Sequence, residues 1–170
     1  MSKSKRSLNR RRWLGLTGAA AAAAWLPGGA RGAAPTLARA MAESDLLYLT
    51  PLLGGGSESA CQAEVWFVAD GGDAVVVTAS DAWRATAVTR GFARARLWVG
   101  DVGVWSDANG AYRALPTTTA TASFVTEADE HARLLDLFGD KYSLEWIIWG
   151  PRFRSGLKEG SRVMIRYRPS

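Results

Sequence analysis

Apolar residues along this chain fall into short β-rich runs separated by glycine, proline and Asx turns, with stretches of helical period between them. Leu46-Leu47-Tyr48-Leu49-Thr50 predicts a strand stopped by Pro51 and Gly54-Gly55-Gly56, since successive glycines hold extended backbone poorly. Ala63 to Val68 and Ala74 to Thr78 predict a hairpin about Asp70-Gly71-Gly72-Asp73, where Asp-Gly and Gly-Gly supply the turn. Val75-Val76-Val77 does not alternate, as expected of a strand covered on both faces. The period then changes. Ser80 is placed to cap a helix beginning at Asp81, with Trp83, Ala87 and Val88 along one side and Gly91 near its end. Ala93 to Val99 alternates again, which puts Arg94 and Arg96 on one face and Ala93, Ala95, Leu97 and Val99 on the other.

Further on, Val102 to Trp105 and Ala111 to Leu115 flank a reverse turn at Asn109-Gly110. The Thr-rich run Thr117 to Val125 suits a strand, and Thr126 reads as the N-cap of a helix that buries Ala128, Leu134, Leu135 and Phe138 and ends near Gly139. Trp146 to Trp149 and Arg162 to Arg168 are the last expected strands. About seven strands, mostly in hairpins, and two main helices predict a mainly β domain with accessory helices. No glycine fingerprint joins a strand to a helix, so a dinucleotide-binding fold is disfavoured. A small closed barrel is preferred because closure hides strand edges.

This domain is expected to span 44–170, preceded by a small-residue lead-in over 33–43 that can form a loose helix around Leu37 and Met41. Before it, a basic stretch (Lys3, Lys5, Arg6, Arg10, Arg11, Arg12) runs into the uncharged, alanine-rich Trp13 to Leu26, then Pro27-Gly28-Gly29 and small residues. That order marks a processing segment, 1–32, with cleavage near 30–32. Asn9-Arg10-Arg11-Arg12-Trp13-Leu14-Gly15 resembles the twin-arginine export pattern of Ser or Thr, Arg-Arg, any residue, Phe, Leu, Lys, with Asn9 and Gly15 departing from it. The resemblance implies the twin-arginine machinery as a partner and a periplasmic or extracellular destination. The apolar stretch of about 14 residues is shorter than the roughly 20 of a spanning helix, so no stable membrane span is expected after processing.

Processing changes the charge. The whole chain has 21 Lys+Arg against 16 Asp+Glu, or +5, but six of the basic residues and no acidic ones precede Arg31. The remainder carries 15 against 16, or −1, which with no basic-aromatic cluster argues against nucleic-acid binding. The single cysteine, Cys61, rules out an intrachain disulfide and reads as a small core or boundary residue. One Cys and one His also make a zinc site unpromising.

Trp66-Phe67-Val68, the turn Asp70 to Asp73, Val75 to Ser80, Trp83-Arg84 and Ala93 to Gly100, with a helix from Glu130 ending in Lys141-Tyr142, resemble the split β-barrel superfamily of pyridoxamine-phosphate oxidase-like and deazaflavin-dependent nitroreductase-like proteins. The resemblance covers about 120 residues. It implies an FMN-binding-like split barrel, a homodimer, and FMN or a deazaflavin in a groove whose basic and hydroxyl residues hold phosphate. The matching positions are Thr78, Ser80, Trp83 and Arg84; Arg94 and Arg96 are candidates for a second phosphate or an acidic small-molecule ligand. Ser80 can donate a hydrogen bond, and Arg84 offers a bidentate fork. The alternative keeps Ser80 as a cap, Trp83 as core and Arg84 solvated. Trp66 and Trp98 can stack on a flavin ring or serve as core. Where related nitroreductases carry a glycine and basic segment, this chain has Gly54-Gly55-Gly56-Ser57-Glu58-Ser59, and Glu58 would repel phosphate.

Two functions follow from the resemblance: an exported flavin- or deazaflavin-dependent oxidoreductase in which the cofactor carries the redox chemistry, or a noncatalytic ligand-binding or structural barrel of the cell envelope with no cofactor at all. Tyr48, Tyr112, Glu64 and His131 are available acid-base types, but none is singled out, and His131 is expected on a solvent-exposed helix surface.

Overall fold

Seven antiparallel strands wind in the order β2-β1-β5-β6-β7-β4-β3 in the computed structural model, which describes residues 35–170. The expected signal segment and the first residues of the lead-in lie outside the described residues. The strands are β1 (Leu46–Pro51), β2 (Ala63–Trp66), β3 (Val68–Asp70), β4 (Asp73–Ala79), β5 (Arg94–Val99), β6 (Thr117–Val125) and β7 (Arg162–Pro169). The helices are α1 (Leu37–Glu43), α2 (Trp83–Thr89) and α3 (Ala128–Glu159).

The two edge strands, β2 and β3, are consecutive in sequence and joined only by Phe67. The expected single strand Ala63 to Val68 is therefore cut at Phe67. Its first part pairs with β1 and its second with β4, so the chain itself bridges the gap that leaves the barrel nearly closed. Phe67 is fully buried, and its backbone bonds to side chains of α3 in place of a ladder. Its N–H donates to the Tyr142 hydroxyl (2.9 Å), while its carbonyl accepts from Lys141 Nζ (3.0 Å) and lies 2.8 Å from the same hydroxyl.

Strand alternation sorts three cores. Leu47, Leu49, Phe67, Val76, Leu97, Val99, Ile165 and Tyr167 fill the barrel, and α1 adds Ala40 and Met41, so the lead-in is part of the fold. Val75, Val77 and Met164 point outward beneath Leu134, Leu135, Phe138 and Tyr142 of α3. β4 is therefore covered on both faces, as its valine run predicts. On another side of the barrel, Tyr48, Trp98 and Tyr112 pack together under a 3₁₀ turn over Ala111–Ala114, where strand-like flanks were expected. The turn at Asn109-Gly110 is present, with φ of 46° and 80°.

Helix α3 departs most from expectation. Glu127, not Thr126, is its N-cap, Ala128 is exposed, and the helix does not end near Gly139. Non-helical backbone at Ser143 divides it into two legs, and the second includes Trp146 to Trp149, which were expected to be a strand. This leg runs back along the first: Trp146 stacks on Phe138 at 5.7 Å, and Arg154 reaches Asp136 at 4.0 Å. Helical spacing of Trp146, Gly150, Phe153 and Leu157 lets one face of the leg pack on the outer core, and that packing overrides the β-propensity of Trp-Ile-Ile-Trp.

Candidate functional site

Where the second leg of α3 passes β2 and β4 it leaves a groove of about 480 Å³ lined by Val65, Trp66, Val77, Trp149, Phe153 and Arg162. Each side chain is held from behind. Trp66 stacks on Tyr142 at 4.4 Å with planes 9° apart, and Trp149 meets Trp66 edge-on at 6.4 Å. Phe153 is wedged against Trp146 and Phe138 at 5.5 and 6.0 Å. The Arg162 guanidinium lies 5.0 Å from the Phe153 ring centre, and Gly156 makes its course possible, because a Cβ there would come within 2.7 Å of the Arg162 stem. Among the described residues Arg162 has no carboxylate partner. The groove thus offers indole and phenyl surfaces and one unneutralised cation, a lining that suits a planar aromatic anion.

The residues expected to bind phosphate are distributed differently. Thr78 is buried and continues the inward face of Val76 on β4, its Oγ1 without a partner. Ser80 is exposed and does not cap α2; its backbone N–H donates to Ser161 (3.0 Å), and Ala82 is the N-cap, with no side-chain bond. The helix starts at Trp83, later than expected, because Ser80 to Ala82 form a turn leading out of β4. Trp83 packs against the barrel core, with the Arg84 guanidinium 5.6 Å from its ring centre. Arg84 is not solvated: burial lowers its pKa, Tyr167 and Glu64 partly oppose that, and its Nε is buried without a partner. Arg94 and Arg96 lie on β5, which β6 and β7 separate from β4. They share the outward face of Trp98, whereas Thr78 points inward, so the barrel wall separates them from it.

Other candidates have structural partners. Trp98 is buried edge-on against Tyr112 at 5.2 Å and presents no free ring face. The Tyr48 hydroxyl donates to Gly103 (2.6 Å) and accepts from the Val102 N–H (3.0 Å), while Glu64 accepts from the Trp105 N–H (3.2 Å). The Tyr112 hydroxyl bonds Gln62. His131 is half-buried, not fully exposed, and its Nε2–H donates to the Val125 carbonyl (2.8 Å). Glu58 pairs with Arg113 at 2.9 Å. Cys61 is exposed, in a loop whose backbone is tied to Ser59, so it is not a core residue. Among the described residues no three His, Cys, Asp or Glu side chains gather as a metal site would require.

Of the lining residues, Trp66 was a candidate from sequence. Trp149, Phe153 and Arg162 were missed, although Trp149 and Phe153 are spaced i, i+4 and so mark a helical face.

No protein-family model matches the chain, and no curated protein matches it. Solved structures do. HutZ, the heme storage protein of Vibrio cholerae, superposes with a TM-score of 0.54 at 18% identity over 77% of this chain and 85% of that one. ChuZ of Campylobacter jejuni gives 0.55 at 11% identity, over 79% of this chain and 51% of that one. A Listeria innocua protein named provisionally as a pyridoxamine 5′-phosphate oxidase gives 0.51 at 14%, over 77% and 88%. The fold is the split β-barrel. At such identities the likeness establishes the split barrel alone, and the ligand has to be argued from the groove.

Proposed function

We propose that this protein is a ligand-binding split barrel that takes a planar, anionic aromatic molecule of the flavin type into the Trp66–Trp149–Arg162 groove. The observation that carries this reading is the lining itself: two indoles and a phenyl ring around one cation free of carboxylate partners among the described residues. Its volume falls within the roughly 300–1,000 Å³ of small-molecule pockets. The ligand classes in the names of similar barrels, heme for HutZ and pyridoxamine phosphate for the Listeria protein, add support for a ring-shaped anion. A flavin fits better than heme, because no His, Cys, Met or Tyr lines the groove to meet an iron. FMN fits better than a longer polyanion because a single guanidinium matches a single phosphate. No lining residue is an acid, base or nucleophile, so binding without turnover is favoured, and any redox chemistry would reside in the bound ring. No helix among the described residues is long and apolar enough to cross a membrane. The reading includes export of a homodimer through the twin-arginine route, after folding and ligand loading.

A second reading places the ligand at Thr78, Ser80, Trp83 and Arg84, with Arg94 and Arg96 serving a further anion, in a flavin- or deazaflavin-dependent oxidoreductase. It is favoured by the unpartnered, buried Thr78 Oγ1 and Arg84 Nε.

One experiment separates the two. The protein is recovered from the exported fraction, its mass fixes the processing site, and FMN, a deazaflavin and hemin are titrated against tryptophan fluorescence. Arg162→Gln and Trp66→Leu should each weaken FMN binding roughly tenfold, the effect of about 1.4 kcal/mol from one stacked or charged contact, with Arg84→Gln unchanged. Loss through Arg84→Gln, with nicotinamide-driven turnover, would instead establish the second reading. An unprocessed chain retained in the cytoplasm would remove export from the proposal.

A further inference from the structure

The second leg of α3 carries an apolar stripe that nothing in the described protein covers. Leu144, Ile147 and Ile148, spaced i, i+3 and i+4, are 78%, 73% and 59% exposed. Pro151 and Ser155 continue the stripe and are also exposed. Glu145 and Arg152 are seven residues apart, close to two turns, so both project from the same flank of the stripe. Neither has an ion-pair partner among the described residues, and the Arg152 guanidinium lies 4.9 Å from the Trp149 ring centre.

We propose that this stripe docks onto the same stripe of a second copy, the two helix legs running antiparallel about a two-fold axis between Ile148 and Trp149. The inference rests on the homodimer in the reading above, but not on its ligand. A two-fold interface must be self-complementary, and this flank meets that condition. The axis keeps the charged flanks on one side and brings Glu145 level with the partner's Arg152, and Arg152 level with the partner's Glu145. Two ion pairs form from groups that have no such partner within the described part of one copy. The same operation sets Leu144 between the partner's Pro151 and the partner's Ser155, whose small side chains leave room for it. A membrane surface fits less well, since it would leave Glu145 among anionic headgroups, whereas a second copy gives it the partner's Arg152. With three large apolar side chains at its centre the contact is small, so the dimer is expected to dissociate on dilution.

The test is a charge-reversal cycle read by sedimentation equilibrium of the full chain, with circular dichroism as the check on folding. Glu145→Arg and Arg152→Glu should each weaken dimerisation by about tenfold or more, because each sets like charges opposite one another. The double variant should restore it, and Ile147→Asp should abolish it. A dimer indifferent to all four changes overturns this interface and leaves the homodimer reading standing, whereas a protein monomeric at every concentration overturns both. A monomer that binds phosphatidylglycerol vesicles, and loses them with Ile147→Asp, assigns the stripe to a membrane surface instead.

Discussion

The Tyr142 hydroxyl is placed where the barrel would otherwise be open. It accepts from the Phe67 N–H and lies 2.7 Å from the Asp45 carbonyl and 2.8 Å from that of Phe67, so its single proton serves one of them at a time. Burial raises its pKa, which keeps the phenol protonated. Beside it Lys141 Nζ donates to Ser44 (2.6 Å) and Phe67 (3.0 Å), and burial lowers that ammonium to about 8. Removing the hydroxyl leaves a buried backbone donor with no acceptor, a loss of about 1–3 kcal/mol. Tyr142→Phe should therefore lower unfolding stability by that amount in denaturant titrations, with the ring stack on Trp66 retained. A change within error would mean that water replaces the hydroxyl.

At the scale of elements, the return of α3 on itself depends on two glycines. A Cβ on Gly150 would lie 2.9 Å from the Trp146 indole, and one on Gly139 would lie 3.0 Å from it, so the ring lies against backbone on both legs. In an open helix Gly→Ala gains about 1 kcal/mol. Gly150→Ala should instead lower the melting temperature, because overpacking costs about 1–3 kcal/mol. It should also disturb the groove, since Trp146 supports Phe153. Raised thermal stability with unchanged tryptophan fluorescence would show that the indole can shift freely. Pro151 is tolerated within this leg, although it cannot donate to the Ile147 carbonyl, because that side of the helix is exposed.

Across the whole molecule, Arg166 of β7 ties together the turn of the β3–β4 hairpin and the first turn of α3. It reaches Asp70 and Glu130 at 2.7 Å and Asp73 at 3.1 Å, with its side chain 13% exposed. Arg133 adds a fork to Asp70 at 2.9 Å through both terminal nitrogens. Hydrogen bonds from Arg133, then from Arg166, hold the Asp70 carboxyl well below its ordinary 3.8. A carboxylate depressed in the folded state stabilises the fold above its unfolded pKa, and that contribution disappears as pH falls below 3.8 toward the folded value. Arg133→Gln should flatten this acid limb and lower stability at neutral pH by the same amount, a small one because Arg133 is half exposed, while the two proteins converge at low pH. Stability followed from neutral pH down through the carboxylate range checks it, and an unaltered slope would assign the acid sensitivity to other carboxylates.

The local pattern of the chain determined the turn at Asp70 to Asp73, the extents of β6 and β7, the double-sided burial of the valine run and the barrel class. Each follows from contacts within a few residues or from a period that one element imposes. Periodicity also contained the second leg of α3 in the spacing of Trp146, Gly150, Phe153 and Leu157, but Trp-Ile-Ile-Trp has equally good β character, and Gly139 resembles a stop until a ring is seen packed on it. Only the tertiary structure decided that Phe67 crosses between edge strands, because its backbone partners are 75 and 74 residues away, at Tyr142 and Lys141. It also decided that Arg96 and Thr78 lie on opposite sides of the barrel wall, and that Arg162 joins Trp66 and Trp149 in one groove. Which side chains share a cavity depends on strand order and helix reversal, and neither is encoded in any one segment.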